Sequence, residues 1–161
     1  MPRVQVSAVR RELEIFHGHQ VKTTGGGFHA IFDGPARAVQ FANTIRQSTR
    51  QLGLSLRIGK HTGECEIQGE SLEGVAIHMA ARVSAMATCG DIFVSRTVKD
   101  LVAGSGNEFE NFGTYELKGI PDKHQIFKVV ATWLSLADTQ NAEFRGNLRP
   151  GADTQELYAK G

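Results

Sequence analysis

His78 and Arg82, four residues apart, stand beside the most continuous apolar stripe in the chain: Val75, Ala76, Met79, Ala80, Val83, Met86 and Ala87. On a helix at ~100° per residue the pair lies ~40° apart, so both share one polar edge. Arginine's planar fork of donors can bond two phosphate oxygens at once, which makes phosphoryl binding the chemistry this edge could serve. Taken without context, the pair fits an exposed Arg and a His packed at the rim of a core better than a site. His17 and His19, across a helix end, could hold a transition metal, but such pairs are more often simply exposed. Cys65 and Cys89 lack the spacing of a metal knuckle or a disulfide framework and read as free thiols of a reducing compartment.

The elements that must position these side chains follow from periodicity and breakers. Val6, Val9, Leu13 and Phe16 recur at three and four, predicting a helix over 2–17 that Gly18 stops. Residues 20–24 and 28–32 read as a hairpin around Gly25-Gly26-Gly27, where glycine accepts positive φ. Gly34-Pro35 opens a second helix carrying Ala38, Phe41, Ala42, Ile45 and Leu52, and Gly53 ends it. A long alternating strand is expected from Leu54 toward Ile67, before a turn at 69–74. The 75–87 helix follows, then a buried strand at 92–94, a short helix from Ser95 to Val102 with Ser95 as its cap, and a closing hairpin, 109–117 with 125–130. This order predicts an α+β sandwich, with helices covering one face of a mostly antiparallel sheet.

A length of 161 residues suits one domain, read as 1–135 followed by a polar, loosely docked tail at 136–161. Lys and Arg number 18 against 17 Asp and Glu, a formal charge of +1, which argues against a nucleic-acid partner. The most apolar stretch, 126–136, is much shorter than the ~20 residues needed to span a bilayer, and the N-terminal segment has no signal-peptide pattern. A cytoplasmic location is the expectation.

Five stretches, in order and spacing, give the chain a family resemblance. They are Val21-Lys22-Thr23-Thr24-Gly25-Gly26-Gly27-Phe28, then Arg57-Ile58-Gly59-Lys60-His61-Thr62-Gly63-Glu64, then Gly74 through Val83, then Val94 through Leu101, and Tyr115-Glu116-Leu117-Lys118-Gly119. Together they resemble the bacterial branch of the class III adenylyl and guanylyl cyclase catalytic domains, over about Ser7 to Val130. The resemblance implies a ferredoxin-like sandwich that dimerises head to tail. It also implies an ATP-to-cyclic-AMP reaction assisted by two Mg or Mn ions, which two aspartates of one protomer bridge. By the same resemblance Arg82 stabilises charge on the transferring phosphoryl group and His78 holds the ribose-orienting position. Lys22 and Ser71 fall at the adenine-reading positions, and Lys118 at a triphosphate-contacting one. Ser71 stands where the family has a base-reading aspartate, which leaves ATP-versus-GTP preference open. A solvated strand lysine at 22 and an unpartnered hairpin-end charge at 118 are the competing readings.

Two departures bear on activity. The resemblance puts the family's first metal aspartate in a central opening strand well before the glycine hairpin, and the expectation is a domain that starts too late to contain it, N-terminally truncated in this sense. The family's second aspartate belongs in the hairpin turn, where this chain has Gly26. Magnesium requires oxygen ligands, and Asp33 and Glu64 sit elsewhere. No metal is expected to bind well. The expectation is therefore an adenylate cyclase homology domain, impaired or inactive by itself, binding ATP or another purine nucleotide weakly and pairing as a homodimer or with another cyclase domain. The alternative is a non-catalytic pseudo-cyclase acting in dimerisation, nucleotide binding or regulation. With the opening strand missing, the N-terminal helix, the tail or a strand of another chain would have to cover two neighbouring strands, altering dimerisation.

Overall fold

A computed structural model describes residues 3–21, 27–53, 55–68, 71–130 and 155–160. Its elements run α1 (Arg3–Ile15), β1 (His19–Val21), β2 (Gly27–Phe32), α2 (Pro35–Gln51), β3 (Arg57–Thr62), β4 (Glu66–Gln68), β5 (Ser71–Glu73), α3 (Val75–Met86), β6 (Ile92–Ser95), α4 (Arg96–Leu101), β7 (Glu108–Glu116), β8 (Lys123–Val130) and β9 (Gln155–Lys160). The α+β architecture is as expected. Seven strands form one sheet in the order β1-β2-β9-β3-β6-β8-β7, and β4-β5 form a separate two-stranded arm. Every neighbouring pair is antiparallel except β3 with β6.

Alternation along the strands sends side chains to two opposite cores. Ile92 and Val94 of β6 and Phe127 and Val129 of β8 join the helices α1, α2 and α4 through Leu13, Phe41, Ile45 and Val98. Phe93 and Ile126, from the same two strands, instead meet α3 through Met79 and Val83. Helices therefore cover both faces, not one. The expectation of a single covered face fails because periodicity reveals that a helix has an apolar stripe but not which side of the sheet receives it. The anticipated long strand from 54 to 67 is also divided: β3 ends at Thr62, and Glu66–Gln68 turns away to pair with Ser71–Glu73. Val75, counted in the apolar stripe, is 65% exposed at the first position of α3.

The middle of the sheet is completed from the C-terminal segment. Strand β9 runs antiparallel to both flanking strands, with Gln155 opposite Phe32 and Thr62 and Lys160 opposite Gly27 and Arg57. Of the three candidates for covering the central backbone, it is the polar tail that supplies the strand. Within the 136–161 segment, residues 155–160 are thus a sheet element.

Candidate nucleotide site

The helix that bears His78 and Arg82 lies against β3 at one glycine. A Cβ on Gly59 would sit 2.1 Å from the backbone nitrogen of Ser84 and 2.4 Å from its Cα, so only the absence of a side chain lets α3 approach this closely. Ser84 is 1% exposed and its hydroxyl donates to the Arg57 carbonyl at 3.4 Å. Along the same helix Met79 and Val83 are buried while His78 and Arg82 are exposed on a shared edge, as the helical spacing requires.

Arg82 reaches across to the β7–β8 hairpin, where its Nε donates to the Lys118 carbonyl at 3.0 Å. That hairpin tip has a fixed shape. Ile120 N–H donates to Leu117 O at 2.9 Å, and the His124 ring Nε2 lies 2.7 Å from Pro121 O. Gly119 and Asp122 both adopt positive φ, 81° and 66°, which the tight turn requires. Beside the tip is an open depression of about 700 Å³ lined by Glu116, Leu117, Lys118, Ile120, Asp122 and Lys123. Arg82 and Lys118 thus stand together. The second Arg82 edge, its two Nη groups, carries no bond to any described residue and could fork onto phosphate oxygens.

Ser71 begins β5, opposite Gln68, in the arm that leads through Gly74 (φ 141°) directly into α3. The arm thus places Ser71 near the N-terminus of the helix carrying His78. His78 makes no hydrogen bond or ion pair with the other candidates among the described residues. Lys22 and Gly26 lie outside the described residues, between the end of β1 and the start of β2.

A divalent metal finds little to bind. No group of three His, Cys, Asp or Glu side chains is arranged for a metal among the described residues. Asp33 Oδ2 accepts from Arg37 Nη1 at 2.6 Å while its buried Oδ1 has no hydrogen-bond partner, and Glu64 is exposed beyond the end of β3. The hairpin turn, Thr23 to Gly27, contains hydroxyls and glycines but no carboxylate. Among the described residues the donor set does not match the hard oxygen cage that magnesium or manganese needs. His17 Nδ1 lies 3.2 Å from Arg37 Nη1, a position unsuited to a metal ligand.

Sequence reasoning passed over three residues that the fold makes unusual. His61, on the α3 side of β3, bonds Ser95 Oγ through Nδ1 at 2.8 Å, and burial followed by the nearby His124 lowers its pKa to about 4. Ser95 had been read as the α4 cap, but its hydroxyl makes no cap bond and is committed to His61. Lys60 is 1% exposed, with Nζ 3.5 Å from Pro35 O, and burial holds its pKa well below the usual lysine range. A polar residue in an alternating strand is the only sequence signal at Lys60, and it does not distinguish the two faces of the sheet.

The profile of the adenylate and guanylate cyclase catalytic domain matches residues 6–133. The chain belongs to this family. Its fold agrees with a crystal structure of an adenylate/guanylate cyclase/hydrolase from Silicibacter pomeroyi, at a TM-score of 0.72 and 26% identity, covering 79% of this chain and 80% of that one. An uncharacterised protein of Mycobacterium tuberculosis (strain ATCC 25618 / H37Rv) is 32% identical over 108 residues, 65% of this chain and 38% of that protein. A Rhizobium meliloti (strain 1021) protein provisionally named adenylate cyclase 3 is 29% identical over 115 residues, 66% of this chain and 20% of that protein. The cyclase-family domain therefore spans between a fifth and two fifths of the length of these curated relatives. No helix among the described residues is long and apolar enough to cross a membrane.

Proposed function

We propose that this domain binds the phosphates of a purine nucleotide, ATP in the first instance, without divalent metal and without turning it over by itself. The observation that carries the reading is Arg82 docked on the Lys118 turn beside an open depression, in a chain whose hairpin turn has Gly26 where metal chemistry would need a carboxylate. Arg82 supplies the fork to phosphate oxygens and Lys118 a second positive charge. His78 orients the ribose, and Lys22 and Ser71 hydrogen-bond the base. Two divalent ions would activate the ribose hydroxyl and neutralise the triphosphate. No described residue is placed to seat them and the hairpin turn carries no carboxylate, so on this reading the cyclising step lacks that electrostatic support. Loss of several kcal/mol of such stabilisation removes many decades of rate.

The same residues could still complete a site with a partner cyclase domain that provides the carboxylates. In that arrangement this chain contributes base and phosphate recognition, and its signalling role is exercised through a heterodimer. The test is a calorimetric titration of the purified chain with a non-hydrolysable ATP analogue, with and without manganese, alongside cyclic AMP assays alone and mixed with an arginine-defective cyclase that keeps its aspartates. Metal-independent binding, no product alone and product in the mixture are expected. Robust turnover by the chain alone refutes the proposal; a mixture that stays silent refutes the heterodimer.

A further inference from the structure

A second cavity, of about 540 Å³, opens between α3, the β6–α4 junction and the start of β8. Its volume is in the range of small-molecule sites. It shares Lys123 with the depression beside Lys118 but is otherwise built from different residues. Its floor is rigid: Ser95 is 2% exposed and tied to His61. Its rim carries Arg96, Lys123 and His124 against one lining carboxylate, Asp100, and Thr97, Thr114 and Gln125 add neutral hydrogen-bonding groups.

The two cations are only loosely committed. Arg96 Nε is 3.4 Å from Asp100 and Lys123 Nζ 3.9 Å from Glu116, both pairs solvent-exposed. Such pairs are worth ~0–1 kcal/mol, so an anion that offers several oxygens can replace them. His124 adds a fixed contact. Its Nε2 lies on Pro121 O, and its Nδ1 has no partner among the described residues.

We propose that this cavity is a binding site for a compact multivalent anion, a phosphorylated or polycarboxylated small molecule, separate from the Arg82–Lys118 site. Arg96 and Lys123 grip the anion from opposite walls, Thr97 and Thr114 donate to it, and His124 links its occupancy to the hairpin tip that carries Lys118. Calorimetry with pyrophosphate and, separately, citrate tests the site on the intact chain, its Arg82→Ala variant and an Arg96→Gln/Lys123→Gln double variant. Circular dichroism checks that each variant is folded. The expected result is binding of at least one probe that survives Arg82→Ala and weakens about tenfold or more in the double variant, with the His124 ring resonances shifting on titration. Pyrophosphate alone marks the ligand as a phosphate compound; citrate as well extends it to carboxylates. No binding of either probe, binding abolished by Arg82→Ala, or binding indifferent to the double substitution overturns the proposal, whatever becomes of the nucleotide site.

Discussion

Replacing Gly59 by alanine should disturb both stability and the candidate site through a single contact. The added Cβ would lie 2.1, 2.4 and 2.6 Å from the Ser84 nitrogen, Cα and Cβ, and two of these are backbone atoms that cannot rotate away. To restore a separation of 3.4 Å, α3 must retreat by about 1.3 Å. Overpacking of this kind costs ~1–3 kcal/mol, and the stiffer alanine chain returns ~0.4–1 kcal/mol through the unfolded state. A net loss of about 1–2 kcal/mol is expected, roughly a 5- to 30-fold drop in the folded-to-unfolded ratio. The retreat also carries Arg82 away from the Lys118 carbonyl, now at 3.0 Å, beyond hydrogen-bond reach. Urea unfolding gives the stability change, and titration with the ATP analogue should show weaker binding by the folded variant. Gly34→Ala is the control, since a Cβ there meets nothing within 4 Å. A Gly59→Ala protein within 0.5 kcal/mol of the parent, a margin usual for surface changes, would show that α3 does not depend on this approach.

Three other substitutions probe the unusual residues. Lys60 is buried with a lowered pKa, so the unfolded chain binds the extra proton and stability should rise with pH between that lowered pKa and the ordinary lysine range, ~10.4. Lys60→Met should flatten that slope and raise stability at pH 7 by ~1–3 kcal/mol, read from urea curves at pH 7 and 9.5; an unchanged slope would refute it. His61, lowered to about 4, should cost stability as pH falls from ~6.5 to 4, by roughly 2–3 kcal/mol for a partly covered ring. His61→Asn should lose this acid sensitivity between pH 7 and 4.5, and a parallel decline in both proteins would count against it. Gly26→Asp returns one carboxylate to the hairpin turn, and manganese should then strengthen ATP-analogue binding about tenfold; indifference to manganese would argue that the turn does not face the nucleotide.

How much was readable in advance differs by kind of residue. The 3.6-residue pattern in 75–87 was enough to put His78 and Arg82 on one edge of a helix, because helical geometry is local. Gly53, read as a helix stop, and Gly74, read as the end of a turn, both adopt positive φ, since only the backbone's own sterics are involved. The meeting of Arg82 with Lys118, 36 residues away, depended on how the β7–β8 hairpin folds over α3.

The helices, the two long hairpins, the family and the absence of a carboxylate from the Gly25–Gly27 turn are legible in the residues alone, since each is written in local spacing or residue identity. Which face of the sheet each helix covers, the enclosure of Lys60 and the commitment of Ser95 to His61 instead of a helix end emerge from the folded arrangement. That arrangement also makes a polar C-terminal hexapeptide the strand between β2 and β3. The reason is that burial and strand pairing are properties of partners distant in the chain. Gln155–Lys160 has no strong apolar pattern of its own, and it becomes an interior strand because the backbone groups of β2 and β3 need hydrogen-bond partners on both sides.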